Sequence, residues 1–426
     1  MKFKITSIRD NGSLRTDIYD NIANTVIDSD GQVIDFRKDP HCDNMIRRAA
    51  DEADKSAFHP KHADLRKLKI QLGFKCNFSC AYCTQRAYEK QIPIVIDSPS
   101  LVDSFIARLS RCVKSTKEIL FMGGEPFVYL KLLKKLCPEL RRLYPDARFH
   151  TITNGSLLTR DLADWCIDVG MNLTVSHDGP RFGEYRTGEN ILDRPEIIEG
   201  IRHFHDRAKA EGRDMLICFN VVVTPENRKL SDLPDYFRQK IGRDLPIQFE
   251  SIVKLNEKTE AGVSPFDEKS SNELLNEMFT AGIDMSEDNR LSYFRNFAQR
   301  VSRRIAAGKS LCGIRFYCDN SRSDTMSVDL RGHLLACQAY PYTLTGYGEM
   351  EEFASAVSSY PKTWDQRPNC GRCPFLVSCL GGCPLQTPKA HEISCGNLRI
   401  WHMGLFLIAW HLIFTAVITD ITPLED

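Results

Sequence analysis

Three cysteines fall within eight residues, Cys76-Asn77-Phe78-Ser79-Cys80-Ala81-Tyr82-Cys83, spaced C-x₃-C-x₂-C just after the apolar-alternating run 68–72. A short loop of this kind can wrap an iron–sulfur cubane. A cubane has four irons, so three thiolates leave one iron without a protein ligand. That open iron can bind and activate another molecule, which a fully ligated electron-transfer cluster cannot do. The competing occupant is zinc, which usually recruits a fourth Cys or His nearby. The closest histidines, His59 and His62, lie upstream of the strand.

A second group of thiols lies far along the chain: Cys312, Cys318, Cys337, Cys370, Cys373, Cys379, Cys383 and Cys395. Cys318, Gly332 and Cys337 read C-x₁₃-G-x₄-C, and Cys370 to Cys383 read C-x₂-C-x₅-C-x₃-C. Eight thiolates suffice for two fully ligated cubanes or two tetrahedral zinc sites. The remaining Cys42, Cys112, Cys137, Cys166 and Cys218 carry no ligand spacing. Those within helix and strand patterns are expected as small buried hydrophobes, and nothing near Cys42 argues for reactivity.

The first three cysteines need a scaffold, and the pattern supplies one. Strand-like runs at 68–72, 118–122, 148–153, 172–176, 215–223 and 247–252 alternate with helical stretches beginning near Pro99, Phe127, Arg160, Pro195 and Leu233. Such alternation predicts a parallel α/β sheet, open or partly closed into a barrel, with its chemistry at the carboxyl ends of the strands. The turns that end three strands are polar: Met122-Gly123-Gly124-Glu125-Pro126, Thr153-Asn154-Gly155 and Ser176-His177-Asp178-Gly179-Pro180. Paired glycines allow close backbone approach to a ligand, and Glu125 offers an acceptor to a cation; a plain strand-to-helix turn explains that stretch equally well.

Taken together, Cys76, Cys80, Cys83 and the Gly-Gly-Glu-Pro turn resemble the radical S-adenosylmethionine (SAM) superfamily, and Tyr82 matches the aromatic residue that commonly precedes its third cysteine. The resemblance implies an α/β fold with a partial (β/α)6 barrel, SAM on the open iron, and a 5′-deoxyadenosyl radical that removes hydrogen from substrate. It also implies SAM contacts from Tyr82, Gly123, Gly124, Glu125, Asn154, Ser176, Arg186 and Val222. His177 is expected to be structural. The distal cysteines resemble the SPASM domain, an appendage with two auxiliary [4Fe–4S] clusters, which makes three clusters in all. By that resemblance Cys312, Cys318, Cys337 and Cys383 hold the nearer auxiliary cluster, and Cys370, Cys373, Cys379 and Cys395 the farther one.

SPASM relatives act mostly on peptides and proteins. The sulfatase-maturating group carries an aspartate base directly after the third cysteine of the nearer set, where this chain has Gln338. A neutral amide accepts protons poorly, so a maturase of a ribosomally made precursor peptide, forming a crosslink or an oxidised residue, is preferred. A formylglycine-forming dehydrogenase is second, and a non-catalytic iron–sulfur carrier, which would not cleave SAM, is third. The catalytic base is unassigned. A flavodoxin- or ferredoxin-type protein is the expected electron donor.

With 426 residues, two or three domains are expected. The pattern divides into a β-rich extension at 1–66 that could hold a leader peptide, the barrel at 67–254, a helical linker at 255–310 with runs at 272–281 and 290–307, the cysteine-rich domain at 311–396 and an apolar helix at 397–426. In the extension, Asp10-Asn11-Gly12 and Asp30-Gly31 are hairpin signals, and a helix is expected from Pro40 to about Phe58. Formal net charge is zero, which gives no field favouring nucleic acid or a membrane surface. The first eight residues lack the apolar core of a secretory signal, so a reducing cytoplasm is expected. The apolar run 403–419 is expected to pack on the body of the protein rather than enter a membrane.

Overall fold

The computed structural model describes residues 1–40, 42, 63–88, 99–251, 265–312, 318–355 and 364–424. The N-terminal hairpin is formed by β1 (Lys2–Arg9) and β2 (Leu14–Asp20), with the short β3 (Thr25–Ile27) beside β2. Past Asp30-Gly31 the expected strand is reduced to one bridge, Ile27 to Val33. The helix expected from Pro40 to about Phe58 lies outside the described residues.

Strands and helices then alternate: β4 (Asp64–Gln71), α1 (Pro99–Cys112), β5 (Ser115–Met122), α2 (Leu130–Leu143), β6 (Arg148–Thr153), α3 (Arg160–Val169), β7 (Met171–Ser176), α4 (Pro195–Ala210), β8 (Ile217–Val223), α5 (Leu233–Ile241) and β9 (Ile247–Ser251). The six strands pair in parallel, in chain order. Period-two alternation gives the sheet two unlike faces. Leu68, Ile70, Ile119, Phe121, Phe149, Leu173, Val175, Phe219 and Val221 fill the buried apolar core. The other face is polar and linked across strands: Lys67 pairs with Glu118 at 3.0 Å, His150 bonds Thr174 at 2.9 Å, and Thr174 lies 3.3 Å from the Cys218 sulfur.

Two helices follow, α6 (Glu268–Ile283), longer than its predicted run at both ends, and α7 (Tyr293–Ala307), which starts three residues later than predicted. The cysteine-rich region is more tied to the barrel than a loop-rich, metal-held unit would be. Its β10 (Thr325–Asp329) pairs in parallel with β4, and β11 (His333–Leu335) and β12 (Gly346–Glu349) continue the sheet antiparallel, making nine strands.

The C-terminal helix differs from the expected 397–426 span at both ends. As α8 it runs from Pro388 to Phe414, capped by the Thr387 side chain, and carries Cys395 in its second turn. Trp401, Leu405, Phe406, Ile408, Ala409 and Trp410 are buried along it. At Thr415 the backbone turns left-handed (φ 48°). The β-branched residues of Val417-Ile418-Thr419 and Ile421-Thr422 favour an extended chain. They form β13 (Ala416–Pro423), antiparallel to β1. The N-terminal sheet is therefore completed by the end of the chain. No helix among the described residues is long and apolar enough to cross a membrane.

Candidate iron–sulfur and cofactor site

The three-cysteine loop lies directly on the 122–125 turn. Leu72 N–H donates to the Met122 carbonyl (2.7 Å), Gly124 N–H to Gly73 (3.0 Å) and Glu125 N–H to Lys75 (2.9 Å). A Cβ on Gly124 would meet the Lys75 and Phe74 carbonyl oxygens at 2.4 and 2.5 Å. Those are backbone atoms that cannot swing aside, so glycine here lets the loop seat on the turn. On its other side the loop is bonded to residues after β7: Ala81 N–H to the Tyr185 carbonyl (2.7 Å) and Ser79 N–H to Thr187 Oγ1 (2.5 Å). None of the three thiols is in a disulfide. Burial pushes Cys76 up to about 12, and the charges of Glu125, Cys83 and Cys80 add to it. Burial also raises Cys80, against the pull of Arg186.

Glu125 is only 1% exposed, and both of its oxygens are taken. Oε1 accepts from Phe127 N–H (3.0 Å) and Thr153 Oγ1 (2.8 Å), and Oε2 from Asn154 N–H (2.7 Å). It clasps the end of β5 to the end of β6. Burial holds its carboxyl up at about 7 despite those three donors. Asn154, also buried, donates from Nδ2 to Asn77 Oδ1 at 2.8 Å and thus reaches the cysteine loop.

Three of the predicted contacts converge on a residue that the motif reading did not nominate. Asp178 Oδ2 accepts from Tyr82 Oη (2.6 Å) and Arg186 Nε (2.9 Å), and Oδ1 from Val222 N–H (3.1 Å) and Arg186 Nη2 (3.4 Å). The side chains of Arg186 and Asp178 are 6% and 3% exposed. The Arg186 guanidinium also stands 5.5 Å from the Tyr82 ring centre, within cation–π range. Asp178 therefore joins the cysteine loop, the loop after β7 and the end of β8. It stood in the quoted Ser-His-Asp-Gly-Pro stretch, but its partners come from three separate segments and leave no local signal. Ser176 is the last residue of β7 and Gly123 immediately precedes Gly124. His177 is fully buried among aromatic rings; its Nδ1 accepts from Gly179 N–H (3.0 Å) and its Nε2 faces Asn190 Oδ1 (2.9 Å). Burial lowers it to about 4, so it is a neutral, satisfied histidine, as expected.

The C-terminal thiols fall into two neighbourhoods. Cys370, Cys373, Cys379 and Cys395 lie close enough for their charges to act on one another, as do Cys318, Cys337 and Cys383. Cys312 is exposed. Gln338, after Cys337, is docked on the barrel. Its carbonyl accepts from Gln71 Nε2 (2.7 Å) and its Oε1 from Asn320 Nδ2 (2.7 Å), while Asn320 Oδ1 accepts from the buried Lys69 ammonium (2.7 Å). Phe74, Tyr88 and Tyr340 pack together, with Cys337, Ala339 and Leu385 against them. Of the thiols without ligand spacing, Cys42, Cys137, Cys166 and Cys218 are buried and Cys112 partly so.

Among the described residues, no three His, Cys, Asp or Glu side chains converge on a single ion. A cubane puts each thiolate on a different iron, so its ligands stand apart, and grouped thiols outside any disulfide, most of them buried or partly buried, are donors suited to it. The residues joined to the cysteine loop through Asp178 are of types that would suit SAM: the Arg186 guanidinium for a carboxylate and the apolar Val222 for an adenine.

Residues 70–230 match the model of the Radical SAM superfamily. Among curated proteins, the chain is similar to GTP 3′,8-cyclase of Yersinia pestis (28% identical over 46% of this chain and 56% of that protein) and to the probable GTP 3′,8-cyclase of Methanocaldococcus jannaschii (28% over 43% and 58%). It spans a little over half the length of the curated relatives it matches. Among solved structures it resembles native anSMEcpe with bound AdoMet, with a TM-score of 0.59 and 19% identity over 82% of this chain and 98% of the other. The same protein with bound AdoMet and Cp18Cys peptide gives 0.57 at 18% identity. Residues 70–230 thus carry a radical SAM domain, and the three-cysteine loop lies within it. The fold of the chain is similar to that of anSMEcpe.

Proposed function

We propose that the chain is a SPASM-type maturase that takes a hydrogen atom from a side chain of a precursor peptide and leaves an intrapeptide crosslink or an oxidised residue. The observation that carries this reading is extent. The likeness in fold to anSMEcpe runs through 82% of the chain, whereas likeness to the cyclases stops at 46% or less. The peptide-bound form of that neighbour supports a peptide as the substrate class.

On this reading the barrel occupies 67–254, the helical segment 255–310 and the auxiliary-cluster domain 311–396, with residues 1–66 as the extension. Cys76, Cys80 and Cys83 hold the SAM-side [4Fe–4S] cluster. Cys312, Cys318, Cys337 and Cys383 hold one auxiliary cluster, and Cys370, Cys373, Cys379 and Cys395 the other. When bound, SAM and its cluster supply a 5′-deoxyadenosyl radical able to break a strong C–H bond. The chain's own task is to position. Arg186 commits two N–H groups to Asp178 and keeps others for the SAM carboxylate. Tyr82, Gly123, Gly124, Asn154, Ser176 and Val222 line the same strand ends, and Glu125 fixes their spacing. Gln338 supplies no base. The outer edge of β13, at one end of the N-terminal sheet, suits a leader peptide added as a strand. A flavodoxin- or ferredoxin-type protein supplies electrons.

The test is co-expression with a short peptide encoded beside the gene, followed by mass spectrometry, alongside incubation of reconstituted protein with GTP. A peptide lighter by about two hydrogens, with GTP untouched, is the expected result. GTP consumption with an unmodified peptide would replace this reading with a cyclase.

A further inference from the structure

Two residues beside the farther set of C-terminal thiols have no role in the reading above. Arg367 is 6% exposed and sits just ahead of Cys370. Its Nη1 donates to the Gly381 carbonyl (2.7 Å) and its Nη2 to the Cys383 carbonyl (2.6 Å), so it ties the 370–383 segment across its own fold. Nη1 also contacts His391 Nδ1. His391 lies in the first turn of α8, one turn before Cys395 and on the same face of the helix. Its other nitrogen, Nε2, stands 3.8 Å from the Cys370 sulfur.

The chemistry of these groups orients the proton. A guanidinium has donors and no acceptor, so His391 Nδ1 must accept. A neutral imidazole that accepts at Nδ1 carries its hydrogen on Nε2, and here that hydrogen points at Cys370. The sulfurs of Cys337, Cys373, Cys379 and Cys383 receive backbone N–H groups, from Ala339, Phe375, Gly381 and Leu385. Cys370 receives a side chain. A hydrogen bond to a cluster sulfur stabilises the reduced, more negative state more than the oxidised one, and so raises the reduction potential.

We propose that His391, held in one tautomer by Arg367, donates a hydrogen bond to the Cys370 thiolate and raises the reduction potential of the cluster on Cys370, Cys373, Cys379 and Cys395. This rests on the reading that those four thiolates hold a [4Fe–4S] cluster. The functional consequence is directional. The auxiliary cluster farther from the barrel becomes the better one-electron acceptor, which favours outward passage of the electron left when a substrate radical becomes a closed-shell product. A ferredoxin- or flavodoxin-type protein then takes it. Arg367 is the positioning residue of the pair.

The test uses full-length protein, reconstituted anaerobically, with iron and sulfide counted before a potentiometric titration followed by electron paramagnetic resonance. His391→Leu removes the donor, whereas His391→Gln keeps an N–H. The Leu variant is expected to shift one auxiliary midpoint potential downward, leave the other auxiliary potential and the SAM-side potential in place, and lose an exchangeable-proton coupling from one reduced cluster. The Gln variant should recover most of the shift. Arg367→Gln should move the same potential in the same direction. Full iron with unmoved potentials in His391→Leu overturns the proposal. So does loss of about four irons in that variant, which would make His391 a ligand instead of a donor. Wild-type protein with only one cluster's iron overturns the cluster reading itself, and the proposal with it.

Discussion

The loop of Cys76, Cys80 and Cys83 is bonded on both sides to the barrel: to the 122–125 turn, to residues after β7 and, through Asn77, to Asn154 at the end of β6. The segment from Cys370 to Cys383 bonds mainly within itself, with Cys373 N–H to Cys370, Leu376 N–H to Cys373 and Gly382 N–H to Cys379. From outside the segment, side chains hold it at points: Asn21 donates to the Gly371 and Cys373 carbonyls (2.9 Å each), Arg304 to Val377 (3.1 Å) and Arg367 to Gly381 and Cys383 (2.7 and 2.6 Å), and Ser378 Oγ lies 2.8 Å from His402 Nδ1. A scaffold built by strand pairing holds its shape whether or not iron is present. A segment of short turns around four thiols depends on what the thiols bind. The three-cysteine loop thus has a scaffold of its own, and on the reading proposed above the distal segment draws folding energy from the metal it holds.

The sharpest way to break this contrast is to empty each region separately. Changing Cys76, Cys80 and Cys83 together to Ala should lower SAM cleavage at least about a thousandfold, on the scale by which losing an essential catalytic group is judged. About eight irons should stay in the auxiliary sites. The thermal midpoint should hardly move. Cys379→Ser, at a partly buried thiol, should instead remove about four irons and lower the midpoint distinctly while SAM cleavage persists. Iron counting, calorimetry and a 5′-deoxyadenosine assay check all three readouts. Equal destabilisation by the two changes would abolish the distinction.

The legibility of the sequence divides along the same line. The barrel strands announce themselves through alternation, and the cysteine spacings through ligand geometry, because both are local. What stayed hidden joins distant segments. β10 pairs with β4 across more than 250 residues, Thr325 opposite Lys67, and no window of sequence contains both. β13 was absorbed into a helix because the run 403–419 is apolar all round, a pattern that periodicity cannot divide. The β-branched residues after Thr415 were the available signal. Glu125 was readable as a carboxylate on a glycine turn; its saturation by Phe127, Thr153 and Asn154 was not, since two of those donors stand on another strand end. Asp178 is the clearest case: a residue inside a quoted motif whose importance lies wholly in partners from elsewhere.

Asp178 also sharpens the comparison, because the barrel side should fail by misplacement where the distal side fails by unfolding. Asp178→Asn leaves Arg186 as a buried cation without its counter-charge, a change that costs about 3–5 kcal/mol when a buried pair loses one member. The amide still offers an oxygen, so part of the hydrogen bonding survives. SAM affinity, measured by titration of reconstituted protein, should fall at least tenfold as Arg186 and Tyr82 lose their common anchor, while iron content stays at the wild-type level. Unchanged affinity would make Asp178 purely structural.

The smallest expected effect comes from Glu125, and its sign is fixed by burial. Its carboxyl is held at about 7, above the value near 4.5 of an exposed glutamate. Between those values the folded protein keeps a proton that the unfolded chain has lost, so stability falls as pH rises through this window. Below about 4.5 both states are protonated, and the contribution is fully present. Above about 7 it has been lost. Glu125→Gln removes the ionisation and keeps one acceptor oxygen. Its stability relative to wild type should therefore improve by about 2 kcal/mol between pH 5 and pH 8, against a constant penalty for the donor left facing the amide nitrogen. Denaturant unfolding at the two pH values reads this difference directly. Bound SAM should reduce it, because a cationic ligand above the 122–125 turn favours the ionised carboxylate and draws the folded-state value back down. A pH-independent difference between the two proteins would mean that the three donated hydrogen bonds outweigh burial and that Glu125 is ionised throughout.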